Sequence, residues 1–277
     1  MAASLNLKKF DMNSIGKGSI CVMLGKRRTG KSVLTKDLLY YKQDIPIGTV
    51  ISATENANKF YSSIVPPLFI HDEYSPEIIA NTVKRQKLVI DKMNEQETQF
   101  GKSNIDPFSF IILDDCLYDN AWTKDKNIRL YFMNGRHYKT LLIITSQYSL
   151  GIPPILRCNI DYVFILRENI VSNRKRLYDN YAGMFPSFDV FCQVMDQCTE
   201  NYECLVIDNT TQSNKIEDQV FWYKADKHPK FTLGSPEFWN HHSSNFKDHT
   251  FNDPDEEFDL NIGKKRNTPT INVHKRF

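Results

Sequence analysis

Continuous apolar runs alternate with amphipathic stretches over the first 225 residues of this chain. Unbroken apolar runs are typical of strands that are covered on both faces, and apolar residues spaced three or four apart are typical of helices. Strands are predicted at 19–24, 48–52, 108–113, 140–145, 162–166, 202–207 and 219–223, and helices at 33–41, 77–92, 126–133, 171–182 and 187–198. This alternation predicts an α/β fold with a mainly parallel central sheet covered by helices, in which the last two strands form a hairpin.

The pattern also predicts three segments. Residues 1–18 read as a short lead-in, and 19–225 as the α/β domain. In 226–277, His, Asn, Pro and charged residues replace the apolar pattern, which predicts a partly ordered C-terminal tail. Phe231, Phe238 and Trp239 are expected to hold the first half of that tail on the domain.

A phosphate-binding motif joins the first predicted strand to the first helix. The pattern G-x-x-x-x-G-K-[ST] is matched by Gly25-Lys26-Arg27-Arg28-Thr29-Gly30-Lys31-Ser32, and the helix continues from Val33. The two glycines let successive N–H groups turn toward phosphate at the positive end of the helix. Lys31 is predicted to reach the β- and γ-phosphates, and Ser32 to offer its hydroxyl to Mg²⁺. ATP and Mg²⁺ are therefore the predicted cofactors.

Two further polar groups follow buried strands. Asp114 and Asp115 end the most apolar strand, where the first carboxylate is predicted to hold Mg²⁺ and the second to polarise the attacking water. Paired acids also cap helices and fill turns, so that interpretation stays open. Gln147 ends the next strand and is predicted to sense phosphate or position water, with a plain turn as the alternative.

Arginines offer charge to a transferring phosphoryl group. Arg136 and Arg157 are each candidates for an arginine finger acting on a neighbouring subunit, and solvated surface residues are the alternative. A basic cluster follows a strand at Arg167, Arg174, Lys175 and Arg176. It is compatible with a kinase lid, a DNA channel or an exposed helix face.

Composition limits the kinds of partner and cellular compartment that are expected for this chain. The 35 basic and 33 acidic residues give a net charge of +2, so any DNA-binding surface must be local or built by several subunits. Six cysteines without a C-x-x-C pair fit a reducing compartment, and Cys192, Cys198 and Cys204 leave a metal site as a minor alternative. No stretch approaches the ~18 apolar residues of a membrane span, so a soluble intracellular protein is expected.

The ordered motifs resemble one group of proteins. Five motifs follow one another along the chain: the phosphate loop, the strand ending in Asp114-Asp115, and the segments Asn134–His137, Ile143–Gln147 and Leu156–Tyr162. Their order resembles that of the poxvirus-type genome-packaging ATPases of large cytoplasmic DNA viruses, within the FtsK–HerA superfamily. The resemblance covers about residues 19–225. It implies a P-loop NTPase of the RecA/ASCE kind.

The resemblance also implies a role for the protein and its residues. A homo-oligomeric ring would pump double-stranded DNA into a preformed capsid, in contact with a capsid or portal-vertex protein, in the virion and the host cytoplasm. Lys31 and Ser32 would bind nucleotide and Mg²⁺, Gln147 would be the sensor, and Arg136 the preferred finger. Asp115 departs from the superfamily, in which Glu is common at this position.

Two other functions compete with a packaging motor. A nucleotide or nucleoside kinase would explain the basic cluster at 167–176, although tandem aspartates and Gln147 suit hydrolysis better. A nucleotide-dependent scaffold in capsid assembly would need little turnover. A GTP switch is disfavoured because the chain has no N-K-x-D motif.

Overall fold

The computed structural model describes residues 5–116, 121–147 and 150–245. The strands of this part are β1 Lys8–Lys9, β2 Ile20–Leu24, β3 Gly48–Ser52, β4 Ile70–His71, β5 Ser109–Asp114, β6 Thr140–Ser146, β7 Tyr162–Ile165, β8 Glu203–Asp208 and β9 Val220–Lys224. The helices are α1 Lys31–Tyr40, α2 Glu55–Asn58, α3 Pro76–Phe100, α4 Ala121–Lys124, α5 Lys126–Asn134, α6 Pro154–Arg157, α7 Val171–Tyr181, α8 Phe188–Cys198, α9 Ile216–Gln219 and α10 Pro236–Asn245.

The strands form one sheet in the order β1-β9-β8-β7-β2-β6-β5-β3-β4. From β7 to β4 every neighbouring pair is parallel. The predicted hairpin extends this sheet, because β8 is antiparallel both to β7 and to β9. The predicted α/β fold with a mainly parallel sheet is confirmed.

Each central strand sends alternate side chains into two separate cores. Val22, Ile111 and Ile144 lie in one core with residues of α3, α5, α7 and α8. Met23 and Ile112 lie in the other with residues of α1. Because successive side chains of a strand point to opposite faces, the sheet is the middle of three layers, and its strand ends are left free for chemistry.

The sheet also takes in residues outside the predicted 19–225 domain. In β1, Lys8 and Lys9 pair in parallel with β9, and Phe10 is buried against the rings of Tyr162 and Phe164. The first compact unit of the chain ends at Asn245, and residues 246–277 lie outside the described part.

Residues 226–245 of the predicted tail pack on the domain. Phe231 and Phe238 are buried in the α1-side core, and the indole of Trp239 donates to the carbonyl of Leu233 at 2.8 Å. The Nε2 atom of His228 is within hydrogen-bond distance of the fully buried carboxylate of Asp37 on α1. These contacts explain why the compact unit extends through 226–245.

Helix α3 runs further than the predicted 77–92. It begins after Ser75, whose hydroxyl accepts from the N–H of Glu77, and ends at Gly101 with φ 74°. The extra turns are largely exposed and polar, so no apolar spacing marks them. None of the helices in the described ranges is long and apolar enough to cross a membrane.

Candidate nucleotide site

The phosphate loop connects β2 to α1 at the carboxyl edge of the sheet. A Cβ on Gly25 would lie 2.7 Å from Thr29 Oγ1 and 2.9 Å from Leu166 Cβ, so only glycine fits there. Gly30 has φ 104°, in the left-handed region that glycine adopts without strain. The loop is therefore folded tightly at the start of a ten-residue helix, whose first N–H groups are available to an anion.

Lys31 lies inside this loop with its side chain 7% exposed. Its Nζ donates to the carbonyls of Gly25 at 2.7 Å and Lys26 at 3.2 Å, and lies 3.9 Å from Asp115 Oδ2. Burial lowers the pKa of this ammonium, while the Asp115 and Asp114 carboxylates oppose that shift. The positive charge is thus held at the loop by neutral oxygens, which a phosphate oxygen can replace.

Asp114 is the last residue of β5 and is buried between two strands. Its Oδ2 accepts from Ser52 Oγ on β3 at 3.1 Å, and its Oδ1 accepts from Thr145 Oγ1 on β6 at 2.6 Å. Burial raises the pKa of this carboxyl, and the bond from Thr145 opposes the rise. The carboxylate therefore has an orientation fixed by two neutral hydroxyl groups.

Asp115 has φ 46°, a left-handed conformation that turns the chain out of β5. Its N–H donates to Thr145 Oγ1 at 3.1 Å, which fixes the turn. Its Oδ2 accepts from Gln147 Nε2 at 3.0 Å, in addition to its approach to Lys31. The structure thus brings three of the predicted catalytic residues together, from three different loops.

The remaining residues of the predicted nucleotide segment lie around this centre. Lys26 Nζ pairs with Glu168 at 2.5 Å, and Thr29 Oγ1 donates to the Lys26 carbonyl at 2.8 Å, which braces the loop. The others in the segment are exposed: Arg27, Arg28, Ser32 and Val33. Ser32 therefore has its hydroxyl accessible in the first turn of α1.

Arg136 lies at the other end of the sheet. It precedes β6 and pairs with Asp161, whose second oxygen accepts from the N–H of Ile20 at 2.8 Å at the start of β2. This bond raises the pKa of the guanidinium, and the side chain is 73% exposed. The seven residues of β6 span about 20 Å, so Arg136 is remote from the phosphate loop of its own chain.

Arg157 also precedes its strand, β7. Its guanidinium lies 5.7 Å from the ring centre of Tyr181, and burial of this phenol raises its pKa to about 12. In the basic cluster at 167–176, Arg174 pairs with Asp196 and donates to the Glu168 carbonyl, and Lys175 pairs with Asp179. Arg174 and Lys175 of this cluster are thus engaged with acids of the same domain.

The cysteines do not come together as a metal site. Cys204 is buried in the α1-side core, whereas Cys198 packs against the core on the opposite face of the sheet. Within the described ranges, no group of three or more His, Cys, Asp or Glu is placed to hold a metal ion.

The sequence did not identify the residues that hold Asp114. Ser52 and Thr145 stand opposite it in the register of the two neighbouring strands. Each follows an apolar run in the same way as Asp114, and that shared position is the signal that would have identified them. No comparable signal marks Glu55, whose carboxylate accepts from the N–H groups of Tyr61 and Ser62, at 2.8 Å each.

Proteins of several viruses are similar to most of this chain. Uncharacterized protein L437 of Acanthamoeba polyphaga mimivirus is 39% identical over 98% of this chain and 96% of its own length. Uncharacterized protein 075L of Invertebrate iridescent virus 6 is 42% identical over 80% of this chain and 82% of its own. No family model matches the chain.

Solved structures share the fold. The genome-packaging NTPase B204 of Sulfolobus turreted icosahedral virus 2, in complex with AMP, has a TM-score of 0.51 at 16% identity, over 77% of this chain and 100% of that one. The conjugation coupling protein TcpA of pCW3 has a TM-score of 0.51 at 12% identity, over 78% of this chain and 61% of that one. These likenesses show that this chain shares the fold of the packaging NTPase and of the coupling protein.

This chain belongs to the family of viral proteins that includes the mimivirus and iridescent virus relatives.

Proposed function

We propose that this member of the viral family is an ATP-hydrolysing motor that translocates double-stranded viral DNA into a preformed capsid. The observation that carries the proposal is the convergence of Lys31, Asp115 and Gln147 at the carboxyl edge of the sheet, beside the fixed carboxylate of Asp114. Ligands of open α/β sheets bind at this edge. A carboxylate and an amide directed at the same point beyond the phosphate loop suit attack by water better than transfer to a bound acceptor.

The loop residues would bind the triphosphate. The N–H groups at the start of α1 and the Lys31 ammonium stabilise the phosphate charge, and the compact turn at Gly25 and Gly30 lets the backbone approach it closely. The available oxygens fit a hard cation, since Ser32 offers a hydroxyl and Asp114 a carboxylate. When bound, Mg²⁺ would neutralise charge on the phosphate oxygens.

Asp115 would act as the general base for hydrolysis. Its carboxylate accepts a proton from water while the water oxygen attacks the γ-phosphorus and the bond to the β–γ bridging oxygen breaks, which yields ADP and phosphate. Gln147 already donates to this carboxylate, so its amide lies where it can orient the same water. Catalysis then rests on positioning and on charge stabilisation.

Assembly into a ring would complete the site. Arg136 lies at the edge opposite its own phosphate loop, with most of its side chain in solvent. A head-to-tail ring places the amino edge of one subunit against the carboxyl edge of the next, so that Arg136 would act in trans. Several subunits around one DNA duplex would also bring their local positive charges together at the DNA, whereas a single subunit has a net charge of only +2.

The partners and location follow from the proposed function. The ring would meet a capsid or portal-vertex protein at viral assembly sites in the host cytoplasm, and it would be found with the virion.

The test is steady-state ATP hydrolysis by the purified protein, with and without long double-stranded DNA. We expect DNA to stimulate turnover, and Lys31→Ala to lower it by about 10²-fold or more, because the positive charge that stabilises the transferred phosphate is lost. Surface variant Lys124→Ala, at the end of α4, serves as the matched control.

Two results would overturn the proposal. Turnover that ignores DNA but rises with a nucleoside or nucleotide acceptor would make the protein a kinase. Nucleotide binding with turnover below about 0.1 per second, with DNA and a capsid protein present, would favour a scaffold, since enzymes commonly run at about 1–10³ per second.

A further inference from the structure

Tyr202 is an aromatic residue beside the phosphate loop to which the proposed mechanism gives no task. Its side chain is 72% exposed, more than any other large apolar or aromatic side chain in the described part of the chain. It directly precedes β8. Because β8 runs antiparallel to β7, its first residue lies at the carboxyl edge of the sheet, with the nucleotide site.

The ring of Tyr202 lies beside the loop. A Cβ placed on Gly30 would lie 3.4 Å from Tyr202 Cδ1 and 3.8 Å from Leu166 Cδ2. Leu166 is fully buried and also approaches Gly25. The loop is thus flanked by a buried aliphatic residue and an exposed aromatic one, and the aromatic ring extends from the loop into solvent.

The backbone conformation that holds this ring outward is strained. Asn201 and Tyr202 have φ values of 51° and 64°, two successive left-handed residues without glycine. The turn is closed by the N–H of Glu203, which donates to the Glu200 carbonyl at 2.8 Å. The sequence predicts a strand from Tyr202, but this conformation delays β8 by one residue. This strained turn places an aromatic ring in solvent and adds nothing to the hydrophobic core. Packing therefore does not explain the turn, which points to a functional role.

We infer that Tyr202 stacks on the base of the bound nucleotide and, resting on the proposed function, supplies the base-binding side of the ATP site. An exposed ring next to the loop that binds phosphates is placed within reach of the other end of the same ligand. Stacking uses the π-face, which every base has, and does not read the hydrogen-bonding edge. Tyr202 therefore raises affinity for purine nucleotides without selecting adenine over guanine.

The experiment measures binding of three probes to the full chain with Mg²⁺ by calorimetry: ATP, GTP and inorganic tripolyphosphate. For Tyr202→Ala we expect about tenfold weaker binding of both ATP and GTP, since loss of a base–aromatic stack has an effect of that order. Tripolyphosphate, which has no base, should bind as it does to the unchanged protein. Tyr202→Phe should keep full affinity, because it keeps the ring.

The control is Phe100→Ala, which removes another exposed ring, at the end of α3. Two outcomes would overturn the inference. Equal weakening of tripolyphosphate would mean that Tyr202 only supports the loop, and unchanged ATP affinity in Tyr202→Ala would mean that the ring does not touch the base. Loss of all three probes in Lys31→Ala checks the phosphate loop separately, so failure of the proposed function and failure of this inference give different results.

Discussion

The two ends of the parallel strands carry polar networks of different kinds. At the carboxyl edge, Asp114 accepts from two hydroxyl groups, and Lys31 donates to backbone carbonyls. At the amino edge, Asp161 accepts from a backbone N–H and from the guanidinium of Arg136. In the first network the closest contacts of Asp114 and Lys31 are to neutral groups, although Lys31 also lies 3.9 Å from Asp115 Oδ2, and the second network is a direct charge pair anchored to a strand.

This difference separates a ligand site from a structural contact. A phosphate oxygen attracts Lys31, and a cation attracts Asp114, more strongly than a neutral carbonyl or hydroxyl does, so a charged ligand can replace the neutral partners. Asp161 has both oxygens engaged and fixes the start of β2 against the segment before β7. Arg136 is different from its partner, since guanidinium carries five N–H donors and this one is largely in solvent. The amino edge can therefore anchor its own strand and still present an arginine to a neighbour.

The largest predicted effect comes from Arg136→Ala. If the exposed guanidinium serves the next subunit, turnover should fall about 10³-fold, as when an arginine finger is removed. In mixtures with unchanged subunits, activity should fall more than proportionally to the variant fraction. Arg129→Ala, an exposed arginine of α5, should leave turnover unchanged. Strictly proportional loss in a confirmed ring would remove Arg136 from the role in trans.

A smaller loss is expected for Asp115→Asn at the carboxyl edge. The amide cannot take a proton from water, so turnover should drop about 10²-fold or more, while ATP binding measured by calorimetry persists. Asp179→Asn changes an exposed acid of α7 in the same way and should have no effect. Normal turnover in Asp115→Asn would show that another group activates water.

The smallest effect is on stability and concerns Asp161→Ala. The change leaves the Ile20 N–H without its acceptor and removes the partner of Arg136. We expect the free energy of unfolding to fall by about 2 kcal/mol, the usual scale for a lost bond to a charged group. Urea unfolding gives this number directly. An unchanged midpoint would contradict the structural role assigned to this carboxylate.

Patterns of apolar residues were enough to predict the central strands. Each of β2, β5, β6 and β7 is an unbroken apolar run, and burial on both faces leaves no other arrangement for such a run. Strand β1 escaped prediction because it is two exposed lysines whose pairing is decided by β9. Residues 226–245 carry a polar composition, and their anchorage depends on single buried contacts such as that of His228 with Asp37.

The part of the site that lies at strand ends or within a spaced motif could be predicted from the sequence. Lys31, Asp115 and Gln147 come from different loops, and the rule that ligands meet the carboxyl ends of parallel strands is enough to predict that they lie together. Tyr202 could not be found in this way. Its role depends on an antiparallel register and a left-handed turn, and neither is visible in a local pattern.

Movement along DNA is the most direct test of the account. A short third strand bound to linear duplex DNA is displaced by a protein that translocates through it, and the released strand can be followed by fluorescence. We predict displacement that requires ATP and is abolished by Lys31→Ala and by Asp115→Asn. DNA-stimulated hydrolysis without any displacement by an assembled ring would contradict the claim that the two edges of this sheet form a DNA motor.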